Sequence, residues 1–385
     1  MTSQLEQSVI VIGAGIIGVS LADALVKRGQ TVELLDFDEP ASGTSAVSYG
    51  WINSHRKHPL AYHRLNVEGL RRWQEIAQDD PQSVTFAGHV EFADDEEHRQ
   101  TLTERVERLI SLGYPAAWID STEAEELTGL QVPASAIAAV FEAEGHAFPV
   151  TRTRTLLDGL VKNERFSMHK CRATSVRETS DGVTVVTGQG NINGRVAVVA
   201  AGNGSEHLVE SAGGRLPLVP AVVNGSAYGY LARVEAPGHP VQGLVTTDRL
   251  NLRPENDERL LVQALDLDSS ADQHQEPGKT VVEEFSARVS KLFPDLETQV
   301  VDIRVGHRVI PADGLPAVGR IRPNSAIFAA VAHSGIVLSP LLAEILSEEI
   351  LGGEPNSLLK LFQPSRFLDN AQRESVAAPR RPGEQ

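Results

Sequence analysis

A glycine-rich turn at residues 13–18 limits the possible folds of this chain more than any other part of its sequence. The turn, Gly13-Ala14-Gly15-Ile16-Ile17-Gly18, follows a continuous apolar run at residues 8–12 and precedes an amphipathic helix that ends before Gly29. A second predicted strand, residues 31–35, ends at Asp36. A strand, a glycine turn, a helix and a second strand in this order predict a βαβ unit in a buried parallel sheet.

The spacing of the three glycines indicates a dinucleotide site. Gly13 allows a tight turn, Gly15 lets a pyrophosphate approach the backbone, and Gly18 lets the helix pack closely on the strand. The first N–H groups of the helix would then face the phosphates. Asp36 can accept hydrogen bonds from a ribose diol and would repel a 2′-phosphate, so we expect FAD or NAD rather than NADP. A second glycine-rich stretch, residues 188–194, precedes a strand and is interpreted as a hairpin, so one dinucleotide site is expected.

The composition narrows the class of partner. The 385 residues include 35 Lys and Arg against 51 Asp and Glu, a net charge of −16, which argues against nucleic acid and anionic membranes as partners. The single cysteine, Cys171, cannot form an internal disulfide or a cysteine zinc site, so we expect a reducing, cytoplasmic setting and no metal. The first apolar run is too short for a signal peptide.

One apolar stretch, residues 326–343, has the length of a short membrane span. Its only residue that could carry a charge is His333. Ser334-Gly335 and Ser339-Pro340 interrupt it, which predicts a strand, a glycine turn and the start of a helix rather than a transmembrane segment.

Four blocks, in order along the chain, resemble the D-amino-acid oxidase family of FAD enzymes, which includes glycine oxidases, sarcosine oxidases and D-amino-acid dehydrogenases. They are residues 36–53 after the second strand, residues 198–202 (VVAAG), residues 306–319 with the sequence GHR…PADGLPAVG, and residues 327–339 (IFAAVAHSGIVLS). A closing segment, residues 362–367, is similar to the family's PxRF. The resemblance covers nearly the whole chain.

The resemblance implies an α/β fold, α+β overall, with a Rossmann-type βαβ domain for FAD and a second, mainly antiparallel domain for the substrate. Because the cofactor motifs recur near residues 13, 200 and 333, we expect a discontinuous FAD domain. Its segments would be 1–80, 148–217 and 306–366. The substrate domain would then comprise 81–147 and 218–305, followed by a loose tail, 367–385.

The cofactor implied is FAD, bound without a covalent link. Sarcosine oxidases attach flavin through a cysteine just before the DG block; the corresponding position here is near Gly306, where this chain has no cysteine. Dimethylglycine-type enzymes use a histidine at the position that is Ala46 in this chain. The residues expected to contact the cofactor are Gly13, Ala14, Gly15, Ile16, Ile17, Gly18, Asp36, Phe37, Thr44, Ser45, Tyr49, Gly50, Trp51, Ala173, Ala201, Gly202, Ser334, Gly335, Ile336 and Val337.

The family's chemistry is hydride transfer from the carbon bearing an amine to flavin N5, which leaves an imine that water hydrolyses. By its place in the block, Arg308 matches the family's carboxylate-binding arginine, a role that suits a guanidinium. His333 either faces the flavin site or packs inside the protein. Tyr228 and Tyr230 share one face of a strand and line either a substrate pocket or the core. His55, Arg56 and His58 form a basic cluster, which either guides an anionic substrate or covers a solvent-facing turn; the second interpretation is favoured.

Two other functions are compatible with these residues. The first is an FAD-dependent 2-hydroxy-acid dehydrogenase, since Arg308 would anchor that substrate equally well. The second is a flavin-binding subunit without activity of its own. In the favoured interpretation the partners are a small-molecule amine or amino acid and an electron acceptor, which is oxygen, a quinone or another carrier.

Overall fold

The computed structural model describes residues 8–369. Within that range no helix combines the length and the apolar character needed to cross a membrane. Eight α-helices occur among the described residues: α1 (Ile16–Lys27), α2 (Leu60–Asp79), α3 (Glu96–Ser111), α4 (Ser121–Thr128), α5 (Pro149–Leu160), α6 (Ser205–Ser211), α7 (Lys279–Leu292) and α8 (Gly335–Ile350). Short 3₁₀ helices lie at Gly202–Gly204, Leu265–Ser270, Ser357–Leu359 and Pro364–Phe367.

The strands of the first half of the described chain are β1 (Val9–Ile12), β2 (Val32–Asp36), β3 (Trp51–Ile52), β4 (Val84–Thr85), β5 (His89–Ala93), β6 (Ala116–Ile119), β7 (Ile137–Phe141), β8 (Gly145–Ala147), β9 (Phe166–Lys170) and β10 (Ala173–Thr179). Those of the second half are β11 (Gly182–Thr187), β12 (Gly190–Gly194), β13 (Val196–Val199), β14 (Tyr228–Glu235), β15 (Leu244–Thr246), β16 (Asn251–Asn256), β17 (Arg259–Gln263), β18 (Gln299–His307), β19 (Ala317–Arg320) and β20 (Ile327–Val331).

The predicted βαβ unit lies at the centre of a six-stranded sheet with the order β19-β20-β13-β1-β2-β9. Every neighbouring pair is parallel except β19 and β20. β1 is buried on both faces, since Val9 and Val11 pack under α1, α2 and α8 while Ile10 and Ile12 pack toward α6 and β11. A strand covered on both sides has to be apolar throughout, which explains the continuous run at its position in the sequence.

A second sheet of eight strands has the order β18-β14-β17-β16-β15-β5-β7-β6. Its pairs are antiparallel except that of β15 with β5, which is parallel. Alternate residues of β14, from Tyr228 to Val234, face a core that α7 covers with Val281, Phe285 and Val289. Those three positions recur every four residues, as expected for one face of a helix.

The predicted fold class is confirmed: a parallel βαβ sheet and a mainly antiparallel sheet occur in one chain. The six-stranded sheet takes all its strands from the segments predicted for the FAD domain, and the eight-stranded sheet takes its strands from the other two segments. β18 runs two residues past the expected end of the substrate segment at 305, and the small sheet β3-β8-β4 joins residues from both sets. The domain boundaries themselves stay a prediction.

Two local predictions can be compared with the structure. The stretch at 188–194 does contain a hairpin, but its turn is confined to residues 188–189, because residues 190–194 form β12 and pair with β11. The tail does not begin at 367, since Phe367 is 2% exposed and packs in the core. Arg366 holds this closing segment in place, because its guanidinium donates to both carboxylate oxygens of Asp313 at 2.7 and 3.0 Å. Residues 370–385 lie outside the described range.

Candidate functional site

A cavity of about 860 Å³ opens beside the carboxyl end of the parallel strands. Two sets of its lining residues are distinguished here. The glycine-turn side comprises the lining residues of 12–51, 171–174, 200–208 and 334–337, and the Arg308 side comprises Lys57, Tyr230, Gln263, Arg308 and His333. Ligands of open parallel sheets bind at this edge of the strands, and the volume lies within the range of small-molecule and cofactor sites.

The glycine turn at the start of α1 has no room for side chains. Gly13 has a φ of +110°, and a Cβ added there would lie 2.3 Å from the carbonyl oxygen of Ala200. A Cβ on Gly18 would lie 1.9 Å from the carbonyl oxygen of Gly13. Gly15 precedes the first turn of α1, where the hydroxyl of Ser45 accepts a hydrogen bond from the Ile16 N–H at 3.2 Å. This bare helix start is a suitable cradle for phosphates.

Asp36 ends β2 and is held by the backbone around it. Its Oδ2 accepts from the Ala14 N–H at 2.6 Å and its Oδ1 from the Asp38 N–H at 3.1 Å. Next to it, the guanidinium of Arg172 stacks over the Phe37 ring at 3.6 Å from the centroid, and all but Ala14 line the cavity. A fixed carboxylate beside a flat, stacked surface fits the ribose and adenine of a dinucleotide.

The loop after β2 is tied to distant segments. The Thr44 hydroxyl and the Asn203 amide both donate to the His307 carbonyl, at 2.9 and 3.2 Å. Arg253 donates from Nε to the Tyr49 carbonyl at 2.6 Å. A Cβ on Gly50, which has a φ of +73°, would lie 2.4 Å from the Ala147 carbonyl oxygen. These contacts set the position of residues 44–51 along the cavity wall.

The amino-terminal end of α8 faces the same cavity. Ser334 precedes the helix, and its hydroxyl is 2.6 Å from that of Tyr62. Gly335, Ile336 and Val337 line the cavity, so the positive end of the helix dipole points toward whatever binds there. Since donors at such a position stabilise negative charge, they suit the pyrimidine side of a reduced flavin.

Among the described residues, the cavity therefore gathers nearly all of the side chains and backbone positions expected at a cofactor. The two exceptions act from behind the wall: Ala14 donates its N–H to Asp36, and Gly18 provides the close contact between α1 and the turn. The others line the cavity: Gly13, Gly15, Ile16, Ile17, Asp36, Phe37, Thr44, Ser45, Tyr49, Gly50, Trp51, Ala173, Ala201, Gly202, Ser334, Gly335, Ile336 and Val337.

Arg308 lines the cavity but is already engaged by the protein. It donates to the Ser226 and Tyr228 carbonyls at 3.2 and 2.8 Å, and to Oδ2 of Asp268 at 2.7 Å. The Asp268 side chain is completely buried. A guanidinium has five N–H groups, so the described residues leave two of them for a ligand. The sequence predicted that Arg308 binds a substrate carboxylate, and it did not predict the ion pair with Asp268.

The other predicted residues of the Arg308 side differ in position. Tyr230 lines the cavity and its hydroxyl donates to the Ser270 carbonyl at 3.0 Å. Tyr228, two residues earlier, is not part of the cavity wall among residues 8–369, because its ring packs edge-on against His307 at 5.2 Å. Burial, together with the charges of Lys57 and Arg308, lowers the pKa of His333 to about 3. His333 is therefore a neutral imidazole at pH 7.

Residues 55–58 do contain a turn, with His58 exposed and Arg56 half-buried, but His55 does not face solvent, which corrects that part of the interpretation. His55 is completely buried, and burial lowers its pKa to about 4, so it is neutral. Its Nδ1 lies 3.0 Å from Oε1 of Glu144, which also accepts from the Tyr114 hydroxyl at 2.8 Å. The second oxygen of Glu144 accepts from the Trp51 indole at 2.9 Å. Burial raises the pKa of Glu144, but His55 and His89 outweigh it and keep the carboxyl ionised.

Three polar residues of the cavity wall escaped the sequence analysis. Lys57 is 8% exposed, Asn53 4% and Gln263 6%. The amide oxygens of Asn53 and Gln263 have no hydrogen-bond partner among the described residues. Lys57 lies within the basic cluster at 55–58, but no spacing in the sequence distinguishes a buried lysine from an exposed one. Asp268, the partner of Arg308, belongs to no recognisable sequence motif.

Comparisons with known proteins agree with this geometry. Residues 8–349 match a family model described as FAD dependent oxidoreductase. The chain is 24% identical over 366 residues to glycine oxidase of Bacillus licheniformis, covering 89% of this chain and 92% of that protein. It is 25% identical over 425 residues to D-amino-acid oxidase of Bradyrhizobium diazoefficiens, covering 94% and 99%. The crystal structure of glycine oxidase from Geobacillus kaustophilus has a TM-score of 0.83 at 22% identity, covering 94% and 98%, a likeness of fold.

Proposed function

The chain belongs to the FAD-dependent oxidoreductases of the D-amino-acid oxidase family, and we propose that it oxidises the C–N bond of an amino acid or of a secondary amine bearing a carboxylate. The observation that carries the proposal is the continuity of the cavity. The wall that fits a dinucleotide runs without interruption to Arg308, His333, Tyr230 and Gln263, so a small polar substrate bound there would lie next to the cofactor.

The residues of the glycine-turn side would hold the cofactor. The start of α1 would bind the pyrophosphate, Asp36 the ribose hydroxyls, and the start of α8 the pyrimidine edge of the flavin. When bound, FAD accepts a hydride from the carbon that carries the nitrogen, leaving an imine that water hydrolyses. Among residues 8–369 neither Ala46 nor Gly306 can form a covalent link, so we expect heat-denatured protein to release intact FAD into the supernatant.

The residues of the Arg308 side would orient the substrate. The two N–H groups of Arg308 that remain for a ligand suit a carboxylate, because a guanidinium presents its donors in a plane. His333, which is neutral at pH 7, adds a hydrogen-bonding group without adding charge next to the amine. A substrate amine must be uncharged before it can lose a hydride, and a neutral neighbour does not oppose the loss of its proton.

The test is anaerobic reduction of the purified holoprotein, followed through loss of the flavin absorbance. The panel consists of glycine, sarcosine, D- and L-alanine, D- and L-proline, methylamine and the two lactates. We expect at least one amino acid to bleach the flavin and to release ammonia or an amine. Bleaching by lactate alone would instead identify a 2-hydroxy-acid dehydrogenase. A yellow protein that nothing in the panel reduces would contradict the proposal and favour a flavin-binding subunit.

The same experiment separates two electron acceptors. Once a reducing substrate is known, reoxidation of the flavin is followed after adding oxygen or a soluble quinone.

We propose a cytoplasmic location on the basis of the single cysteine, which is a free thiol in the structure.

A further inference from the structure

The ion pair of Arg308 leaves the substrate without a net positive counter-charge from that residue. Its guanidinium lies 2.7 Å from the Asp268 carboxylate, which is completely buried. The pair contributes two directed N–H groups, but its positive charge is already balanced. Because burying a carboxylate is costly unless an opposite charge accompanies it, a second cation is needed on this side of the cavity.

Lys57 is the residue with the required properties. It is 8% exposed and lines the cavity. Its ammonium forms no hydrogen bond or ion pair with any residue in the range 8–369. It lines the same cavity as Arg308 and His333, and the positive charges of Lys57 and Arg308 both lower the pKa of His333. A lysine side chain that is more than nine-tenths buried, lines a cavity and has no partner among the described residues indicates a site for an anion.

The charges around Lys57 leave it cationic but easily titrated. Burial lowers its pKa to about 8; the nearby Glu144 carboxylate opposes this shift, and Arg56 adds to it. The remaining titratable neighbour, His333, is neutral above about pH 3. Glu144 does not contact the ammonium: its two oxygens bind His55, Tyr114 and Trp51, and no ion pair joins it to Lys57 among the described residues.

Two further groups point to a ligand at the same place. Asn53 and Gln263 come from the loop after β3 and from the end of β17, and both line the cavity while more than nine-tenths buried. Each has an amide oxygen with no partner among the described residues. Such groups are costly in a folded protein unless a ligand or water completes their hydrogen bonds. Together with Lys57 they form a polar set that the proposed amino acid could satisfy.

We propose that Lys57 supplies the net positive charge that binds the substrate carboxylate, while Arg308, paired with Asp268, contributes directed N–H donors. The inference rests on the proposed function, because it assigns the charge-recognition role within the same site. It makes Lys57 the residue that selects carboxylate substrates over neutral amines.

The test is binding of propionate and of propionamide to the holoprotein, measured through the change in flavin absorbance. The two probes have the same shape, and only propionate is charged. We expect the dissociation constant of propionate to rise about tenfold or more in Lys57→Met, as when one member of a buried charge pair is removed, while that of propionamide stays the same. Lys57→Arg should recover part of the affinity. Lys162→Met, which removes an exposed lysine, should bind both probes as the wild type does.

The pH dependence provides a second measurement, which does not require any variant to fold. Lys57 is protonated below about pH 8, so wild-type affinity for propionate should fall as the pH rises through that value, with no change for propionamide. Lys57→Met should lose this dependence. Equal propionate affinities in the wild type and Lys57→Met, an unchanged pH profile in that variant, or no propionate binding to the wild type would each overturn the inference.

These results can be separated from those of the proposed function. If amino acids bleach the flavin but Lys57→Met binds propionate normally, the inference fails and the function stands. If no amino acid or amine bleaches it but propionate binding still depends on Lys57, the anion site stands and the proposed reaction fails.

Discussion

At the glycine-turn side of the cavity, Gly13 and Gly18 leave no space for a Cβ, whereas at the other side Arg308 meets a carboxylate 40 residues earlier in the chain. The first side is shaped by close contacts of backbone atoms, some near in sequence, as between Gly18 and Gly13, and some distant, as between Gly13 and Ala200. The second is shaped by charges brought together from distant strands and loops. Substitutions on the first side are therefore expected to cause steric clashes. Substitutions on the second side change the balance of charges, and their effect depends on which member of an ion pair remains.

The largest effect is expected from Arg308→Ala, which removes the guanidinium that forms an ion pair with the buried Asp268 carboxylate. Removing one member of a buried ion pair costs about 3–5 kcal/mol, so the free energy of unfolding in urea should fall by that amount. The double variant Arg308→Ala, Asp268→Asn should recover most of the stability.

That double variant is the control for the electrostatic explanation. The amide introduced by Asp268→Asn would still accept the Tyr230 N–H, which now bonds Oδ1 of Asp268 at 2.8 Å, but it would carry no charge. If the double variant is as unstable as the single one, the cost comes from lost packing and the contrast between the two sides is wrong.

The next effect concerns Gly18→Ala on the opposite side. Its Cβ would lie 1.9 Å from the Gly13 carbonyl oxygen, so the turn would have to move. We expect a loss of about 3 kcal/mol in unfolding free energy and a lower FAD content per protein, measured by absorbance. Gly159→Ala in α5 is the matched control, since no atom lies within 4 Å of its added Cβ. It should stabilise the protein by about 0.5–1 kcal/mol. Similar results for both variants would show that the close contact has no importance.

Asp36→Asn tests the one charge on the glycine-turn side for which we propose a cofactor contact. Both carboxylate oxygens accept backbone N–H groups. The amide would replace one of these oxygens with an N–H₂ group, which cannot accept a backbone N–H. With about 1.5–3 kcal/mol for a hydrogen bond to a charged group, FAD affinity of the apoprotein should fall about 10- to 100-fold, measured by quenching of flavin fluorescence. Asp158→Asn on the exposed face of α5 should leave it unchanged, and unaltered affinity in Asp36→Asn would remove this residue from the site.

The smallest expected effect is a pH dependence of the free energy of unfolding that comes from His98, a residue of α3 that contacts Glu91 of the eight-stranded sheet. His98 is held at 2.8 Å from Glu91 and at 2.8 Å from Asp248. Burial lowers its pKa, but these two carboxylates outweigh it and raise the pKa to about 9. A pKa raised in the folded state stabilises the protein fully below about pH 6.5, and this stabilisation is lost as the pH rises through 9.

The measurement is the difference in unfolding free energy between the wild type and His98→Gln at several pH values. Taking the difference cancels Lys57, whose lowered pKa acts in the opposite direction. The difference should shrink by about 2 kcal/mol between pH 7 and 9. A constant difference would mean that His98 is neutral in the folded protein.

Much of the fold could be predicted because its signals are local. The apolar run before Gly13, the helix ending before Gly29 and the strand ending at Asp36 lie within one or two residues of their expected positions. The interruption at Ser334-Gly335 is a turn before a helix, as predicted. Burial on both faces requires apolar strands, and a tight turn requires glycine, so sequence and structure constrain each other over a few residues.

The Arg308 side could be predicted only in part. Arg308 and Tyr230 do line the cavity, but Tyr228 does not, although it shares a strand face with Tyr230. His55 was expected in solvent and is buried against Glu144. In each case the outcome depends on a neighbour far away in the sequence, such as His307 for Tyr228.

The sequence by itself determined the βαβ unit, the glycine turn at the start of α1 and the carboxylate at the end of β2, because hydrophobic periodicity and turn geometry depend on residues adjacent in the chain. Tertiary structure alone decided that Arg308 is neutralised by Asp268, that Glu144 is buried among its donors, and that Lys57 faces the cavity without a partner among residues 8–369. The charge available at a site is the sum over all groups that folding brings near it, and that sum cannot be obtained from the residues adjacent in the chain.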